Sequence, residues 1–289
     1  TIAAKSLSAT GITGNIVINS AQTYSGNATI QGLLDITTGS ILSTAGNIAV
    51  NAANNLTVGG LNTTGTPAAN GAIALTHNGK LTLSGDVNSS NTFVVTSGSA
   101  SSITIGGSLP ATIQVALGDF SLTRNVTLNQ DLSILTLGGV TADVLFGGLL
   151  DGVTGKSPNL TVSSQGIFGV TGAIGSVQRL GDIKVNNGTG NQLSALNLLG
   201  TITAGSLNSG IVAGDISLTQ DQNYNFVGGL NLTSTTSNTQ VGNITLGSII
   251  TSNGAALTLK NSGALVFAKG ITIDGAISQI SGVTTGTVP

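Results

Sequence analysis

The chain has 289 residues, of which 39% are hydrophobic and only 6% charged; its 10 acidic residues are all Asp, and 8 basic residues leave a formal net charge of −2. That hydrophobic share supplies a core and rules out a disordered chain. A charge share far below the roughly 25% of ordinary soluble domains demands a surface of Gly, Ser, Thr and Asn, and with no basic stripe a nucleic-acid partner is excluded. No Cys is present, so disulfides and thiolate metal sites are unavailable. Aromatic residues make up 3% of the chain, too few for the two girdles of a membrane barrel. No window approaches the roughly 18 apolar residues of a membrane helix. Thr1-Ile2-Ala3-Ala4-Lys5 leads straight into a polar repeat, so an export signal is expected to have been removed or to lie outside this piece.

In chain order, short β-branched and aliphatic runs alternate with Thr, Ser or Asn. They occur at Asn15-Ile16-Val17-Ile18-Asn19, Asn47-Ile48-Ala49-Val50, Lys80-Leu81-Thr82-Leu83, Ser102-Ile103-Thr104-Ile105, Asn125-Val126-Thr127-Leu128, Asn159-Leu160-Thr161-Val162 and Ala256-Leu257-Thr258-Leu259. Each reads as a strand of four or five residues with every second side chain inward. A phrase of Gly, then Asn or Asp, then an apolar residue recurs at Gly14-Asn15-Ile16, Gly46-Asn47-Ile48, Gly118-Asp119-Phe120, Gly181-Asp182-Ile183, Gly214-Asp215-Ile216 and Gly242-Asn243-Ile244. Recurrence of this kind marks a stacked repeat, with inserted loops where the period is irregular. A longer echo places Gln22-Thr23-Tyr24 after the first phrase and Gln222-Asn223-Tyr224 after the fifth, which relates the two ends of the chain as modules.

These patterns predict an all-β fold, a right-handed parallel β-helix (β-solenoid) forming one continuous domain over 1–289. Insertions or wider turns are expected near 140–158, where Asp143-Val144-Leu145-Phe146 and Leu149-Leu150 sit among close glycines. Coils of roughly 20 to 25 residues give about a dozen turns, and at about 4.8 Å each an elongated rod on the order of 60 Å. In such a coil like residues stack on like, while Gly and Asn serve the corners, where Asn can form ladders. A β-sandwich is the second architecture. The last residues, Thr284 to Pro289, offer no clear cap, which suggests a chain that continues or is completed by neighbours.

Gly242-Asn243-Ile244-Thr245-Leu246 with Ala256-Leu257-Thr258-Leu259, and Ala21-Gln22-Thr23-Tyr24-Ser25-Gly26, resemble the β-helical repeats of filamentous-haemagglutinin-type exoproteins. Gly79-Lys80-Leu81-Thr82-Leu83-Ser84-Gly85 resembles the passenger repeats of autotransporter adhesins. The resemblance implies secretion by a Gram-negative bacterium and an adhesive or scaffolding role, at the cell surface or in the medium. The Asn-Pro-Asn motifs of that family's secretion domain and an Arg-Gly-Asp tripeptide are both missing. This piece is therefore expected to be shaft.

Catalytic chemistry on such a fold needs clustered carboxylates. Asp35, Asp86, Asp119, Asp131, Asp143, Asp151, Asp182, Asp215, Asp221 and Asp274 are scattered singly, so no catalytic, cofactor-binding or metal residue is assigned. Ca²⁺ at corner Asp residues stays open as the one cofactor to weigh, without the Gly-Gly-x-Gly-x-Asp nonapeptide that builds such sites. His77, in Thr76-His77-Asn78-Gly79, reads as a surface turn residue, and Arg179 with Asp182 as a surface ion pair. The Thr residues read as too irregular for a flat ice-binding face. Asn-x-Ser/Thr triplets such as Asn27-Ala28-Thr29 follow from composition. The leading expectation is a structural and adhesive segment, not an enzyme, with host-surface or matrix glycans or proteins as partners. A self-assembling surface-layer or fibre subunit, joined to copies of itself through solenoid ends, comes second, and a polysaccharide-active enzyme third.

Overall fold

The computed structural model describes residues 1–64, 71–99, 101–185, 192–225, 228–234 and 242–280, apart from the side chains of Val140 and Ile280. The expectation for residues 284–289 falls outside these. The described residues are almost all β, in parallel sheets stacked as a β-solenoid of about 12 turns. A short 3-10 turn occurs at Gly139–Thr141. The chain forms two compact units, Thr1–Gly138 and Gly139–Pro289. The pairing is parallel in both, as in Ile36↔Leu56 and Ile216↔Ile244, where a β-sandwich would be antiparallel.

In the first unit each coil lays one short strand on each of three faces. On the first face Ile2, Gln22, Ile41, Leu61, Val87, Ile113 and Ile134 are successive register partners. On the second face the column is Leu7, Ala28, Ile48, Ile73 and Phe93. On the third it is Ile16, Ile36, Leu56, Leu81, Ile103 and Val126. Steps along this third column take between 20 and 25 residues, the coil length that the sequence predicts.

The local reason is a three-residue rule. Ile36–Thr38, Leu56–Val58 and Val126–Leu128 each bury their first and third side chains and turn the second outward, as the two-residue period of a strand requires. Each coil then bonds to the next through the backbone. Ile16 N–H donates to Asp35 O (3.0 Å) and Ile36 N–H to Asn55 O (2.9 Å). Like therefore sits on like inside the coil, and the rings of Phe93 and Phe120 stack with centroids 6.0 Å apart and 13° between their planes.

The second unit repeats the plan. Val144, Phe168, Leu196, Ile216, Ile244 and Leu265 form one column, with steps of 20 to 28 residues. Leu150, Ile174, Ile202, Gln222, Ile249 and Ile271 form another. An 11-residue strand, Ile202–Val212, serves two faces at once: its first residues pair with Gln222–Tyr224 and its later ones with Leu230–Ser234, with a register shift between Asn208 and Ile211. Within 140–158 the chain runs as the strands Val144–Phe146 and Leu150–Gly152, with Val144, Phe146 and Leu150 buried.

Candidate binding surface

The recurring Gly-Asn/Asp-apolar phrase marks corners, where the chain leaves one face for the next and the backbone ladder is interrupted. A backbone N–H left there needs another acceptor. The side chain of the coil below supplies it. Asn15 Oδ1 accepts from Asp35 N (3.3 Å), Asp35 Oδ1 accepts from Asn55 N (3.1 Å) and Asn55 Nδ2 (3.2 Å), and Asn55 Oδ1 accepts from Lys80 N (2.8 Å). At a second corner Asn27 Oδ1 accepts from Asn47 N (2.9 Å), and Asn47 Oδ1 from Gly71 N (2.8 Å) and Ala72 N (2.9 Å). The second unit uses the same device, with Asp215 Oδ1 accepting from Asn243 N (2.9 Å) and Asn243 Oδ1 from Ala264 N (2.9 Å).

Between the corners, outward side chains form columns. On the third face of the first unit Thr37, Thr57, Thr82, Thr104 and Thr127 are register partners on successive coils. The threonines are more regular in space than they read in the sequence, though not in the Thr-x-Thr pattern that an ice-binding face needs. They are regular in space because corner loops of different length restore the same phase after each coil. They form a single column and not a Thr-x-Thr pair of columns.

The first face of the first unit carries a groove of about 510 Å³. Its floor is the outward column Thr23, Leu42, Asn62 and Asn88, and Ser40, Gly60 and Asp86 at the preceding corner form one wall. Asn62 Oδ1 is buried and has no hydrogen-bond partner among the described residues. Asp86 Oδ1 accepts from Thr112 N (2.7 Å), which holds the carboxylate at the rim, and Ser40 Oγ accepts from Gly60 N (3.3 Å). Among the described residues no cationic side chain lines the groove. Sequence reasoning misses both the groove and the threonine column, although the outward Thr at the centre of Leu56-Thr57-Val58, Leu81-Thr82-Leu83 and Ile103-Thr104-Ile105 signals the column once those strands are aligned.

His77 is not a surface turn residue. It ends the strand Ile73–His77 on the same side as Ile73 and Leu75, and it is fully buried. Its Nδ1 lies 2.9 Å from Gly79 O and its Nε2 2.7 Å from Ser97 Oγ. A carbonyl only accepts, so this geometry assigns the proton to Nδ1 and makes Nε2 the acceptor for the Ser97 hydroxyl. Burial holds the imidazole pKa below its usual value, while the bond to the Gly79 carbonyl opposes that shift. Both ring nitrogens are satisfied, as a buried imidazole requires.

Arg179 and Asp182 do not pair. The Arg179 guanidinium donates to Ala204 O (3.1 Å) and its pKa is lowered by burial, whereas Asp182 faces Lys184 at 3.4 Å and accepts from Ser206 Oγ (2.7 Å). Lys269 sits 2.9 Å from Asp221 and, with Ser248, lowers the pKa of that carboxyl. Among the described residues no three His or Asp side chains gather closely enough to hold a metal ion, and no helix is long and apolar enough to cross a membrane.

No family model, curated protein or solved structure matches the chain.

Proposed function

We propose that the chain is a structural and adhesive segment of a secreted or surface-anchored bacterial exoprotein, in the manner of an adhesin shaft, and that it works without catalysis. The observation that carries this reading is the register itself. Column after column of identical or similar side chains, with corner Asn and Asp bonding each coil to the next, directs the fold toward holding one coil on another. The surface that results is sparsely charged, ladder-like and rich in hydroxyls and amides, which suits contact with glycans or matrix. The resemblance to filamentous-haemagglutinin-type repeats supports a Gram-negative source.

A second reading, self-assembly, draws on the same parallel pairing that joins coil to coil, which separate copies of the chain can also use. Electron microscopy of the purified chain over a concentration series, paired with retention on matrix-coated surfaces, tests both. Discrete particles that are retained on the coated surface fit the adhesive segment. Ordered filaments or sheets that grow with concentration would replace it with the subunit reading, and discrete particles with no retention would remove the adhesive part.

A further inference from the structure

We infer that the groove on the first face of the first unit is a binding site for a linear, neutral polysaccharide chain lying along the stack of coils. This rests on the adhesive reading and names its ligand class. Neighbouring floor positions Thr23, Leu42, Asn62 and Asn88 are one coil apart, about 4.8 Å, so the floor presents a polar or apolar group at each of four levels over about 14 Å. That span is comparable with a trisaccharide. A regular polymer of sugars repeats on a similar scale, so successive residues can meet successive coils.

The chemistry of the floor and wall selects the ligand. Carboxamides and hydroxyls both donate and accept, which matches the hydroxyl pairs of a sugar ring. Neither the side chain of Asn62 nor that of Asn88 makes a hydrogen bond among the described residues, and the Asn62 carbonyl oxygen is buried with its acceptor capacity unused. A buried acceptor left in that state is costly, and turning the Asn62 amide about its terminal torsion brings that oxygen to the groove, where a sugar hydroxyl can donate to it. The Ser40 oxygen takes a backbone N–H and keeps its own proton to donate. Leu42 supplies apolar contact for the C–H face of a ring. Asp86 is the one charged group among the described lining residues and is negative, so sulfated or uronic-acid polymers meet repulsion with no Lys or Arg there to offset it.

An extended peptide fits less well. It draws its affinity from backbone bonds to an open sheet edge and from alternating side-chain pockets, whereas this face is the middle of a sheet whose strands are paired on both sides.

The test is isothermal titration of the full chain with neutral soluble oligosaccharides of glucose, mannose and N-acetylglucosamine, from monosaccharide to hexasaccharide, with a heparin-type hexasaccharide alongside. The expected result is weak binding to at least one neutral series, tightening up to three or four sugars and then levelling, with none to the sulfated oligomer. Asn62→Ala and Asn88→Ala should each weaken it roughly 10-fold, while Thr104→Ala, on another face, leaves it unchanged. Asn88→Ala keeps the test valid if Asn62→Ala misfolds. No neutral binding, preference for the sulfated oligomer, or binding that ignores both Asn variants overturns the groove. Surface retention of the unaltered chain, measured separately, shows whether the adhesive reading falls with it.

Discussion

In the first unit Tyr24 donates to Gln22 Oε1 at 2.9 Å, and in the second Tyr224 donates to Gln222 Oε1 at 3.1 Å, each pair buried at the equivalent place in its coil. The second unit completes the arrangement, because Gln222 Nε2 donates to Leu218 O at 2.9 Å. In the first unit Gln22 Nε2 is buried without a partner among the described residues. The outward surfaces diverge further. Where the first unit stacks Thr37, Thr57, Thr82, Thr104 and Thr127, an outward column of the second reads Leu145, Gly169, Asn197, Ser217, Thr245 and Val266. Interior rules are shared, while surface columns are free to differ. The stack constrains what faces inward and leaves the outward columns available for recognition.

The largest effect expected from breaking this comparison is in the interior. Tyr224→Ala should cost about 3–5 kcal/mol, read as a drop in the urea midpoint by circular dichroism. Tyr224→Phe, which strands Gln222 Oε1, should cost about 1–2 kcal/mol. Replacing Gln22 by Leu should cost less than replacing Gln222 by Leu, since the first amide already lacks a partner for its N–H groups. Equal losses would show that the two pairs are not finished differently.

Next come the glycines of the recurring phrase. A Cβ on Gly46 would overlap the backbone of Gly26 and Asn27 in the coil below, whereas one on Gly14 would meet nothing within 4 Å. Gly46→Ala should cost about 1–3 kcal/mol and Gly14→Ala less than about 0.5 kcal/mol, although both begin the same Gly-Asn-Ile phrase. Similar midpoints for the two variants would place the phrase's importance in its sequence and not in the approach of coils.

Smaller effects belong to protons. The folded His77 pKa lies below the unfolded value of about 6.5, so in the window between them the unfolded chain binds the proton first. Stability should be complete above that unfolded value and fall as the pH drops through the window. His77→Gln should flatten this slope, measured as thermal midpoint against pH. The buried phenols act in the opposite direction: both have raised pKa values, so stability falls as the pH rises past the unfolded phenol value of about 10. At the corners, Asp35→Ala should cost about 1 kcal/mol, and Asp35→Asn less, because an Oδ1 remains to accept from Asn55.

The solenoid is legible in the sequence because its rule is local. Three residues with the outer two apolar, then a Gly or Asn corner, can be read one coil at a time, and Leu81-Thr82-Leu83 shows it alone. Columns are not legible, because they depend on which residues meet across corner loops of unequal length. Thr57 and Thr82 are partners 25 residues apart, and Thr37 and Thr57 only 20. The groove shares that difficulty, since Asn62 and Asn88 meet only once register is known. His77 misleads because Asn78-Gly79 reads as a turn, yet the parity of Ile73 and Leu75 carries inward one step further. Arg179 and Asp182 look like partners from closeness in sequence, yet each bonds to the next coil instead, Arg179 to Ala204 O and Asp182 to Ser206 Oγ.

Register is the central claim, and the absence of cysteine makes it directly measurable. The pair Thr57→Cys and Thr82→Cys puts two Cα atoms on adjacent coils about 4.8 Å apart, within the Cα span a disulfide bridges, while Thr57→Cys with Thr104→Cys puts them two coils apart, beyond it. Mild oxidation should cross-link the first pair nearly completely and leave the second as free thiols. Cross-linking of the second pair as readily as the first, or of neither, would contradict the stacked register on which the ladders, the groove and the functional reading depend.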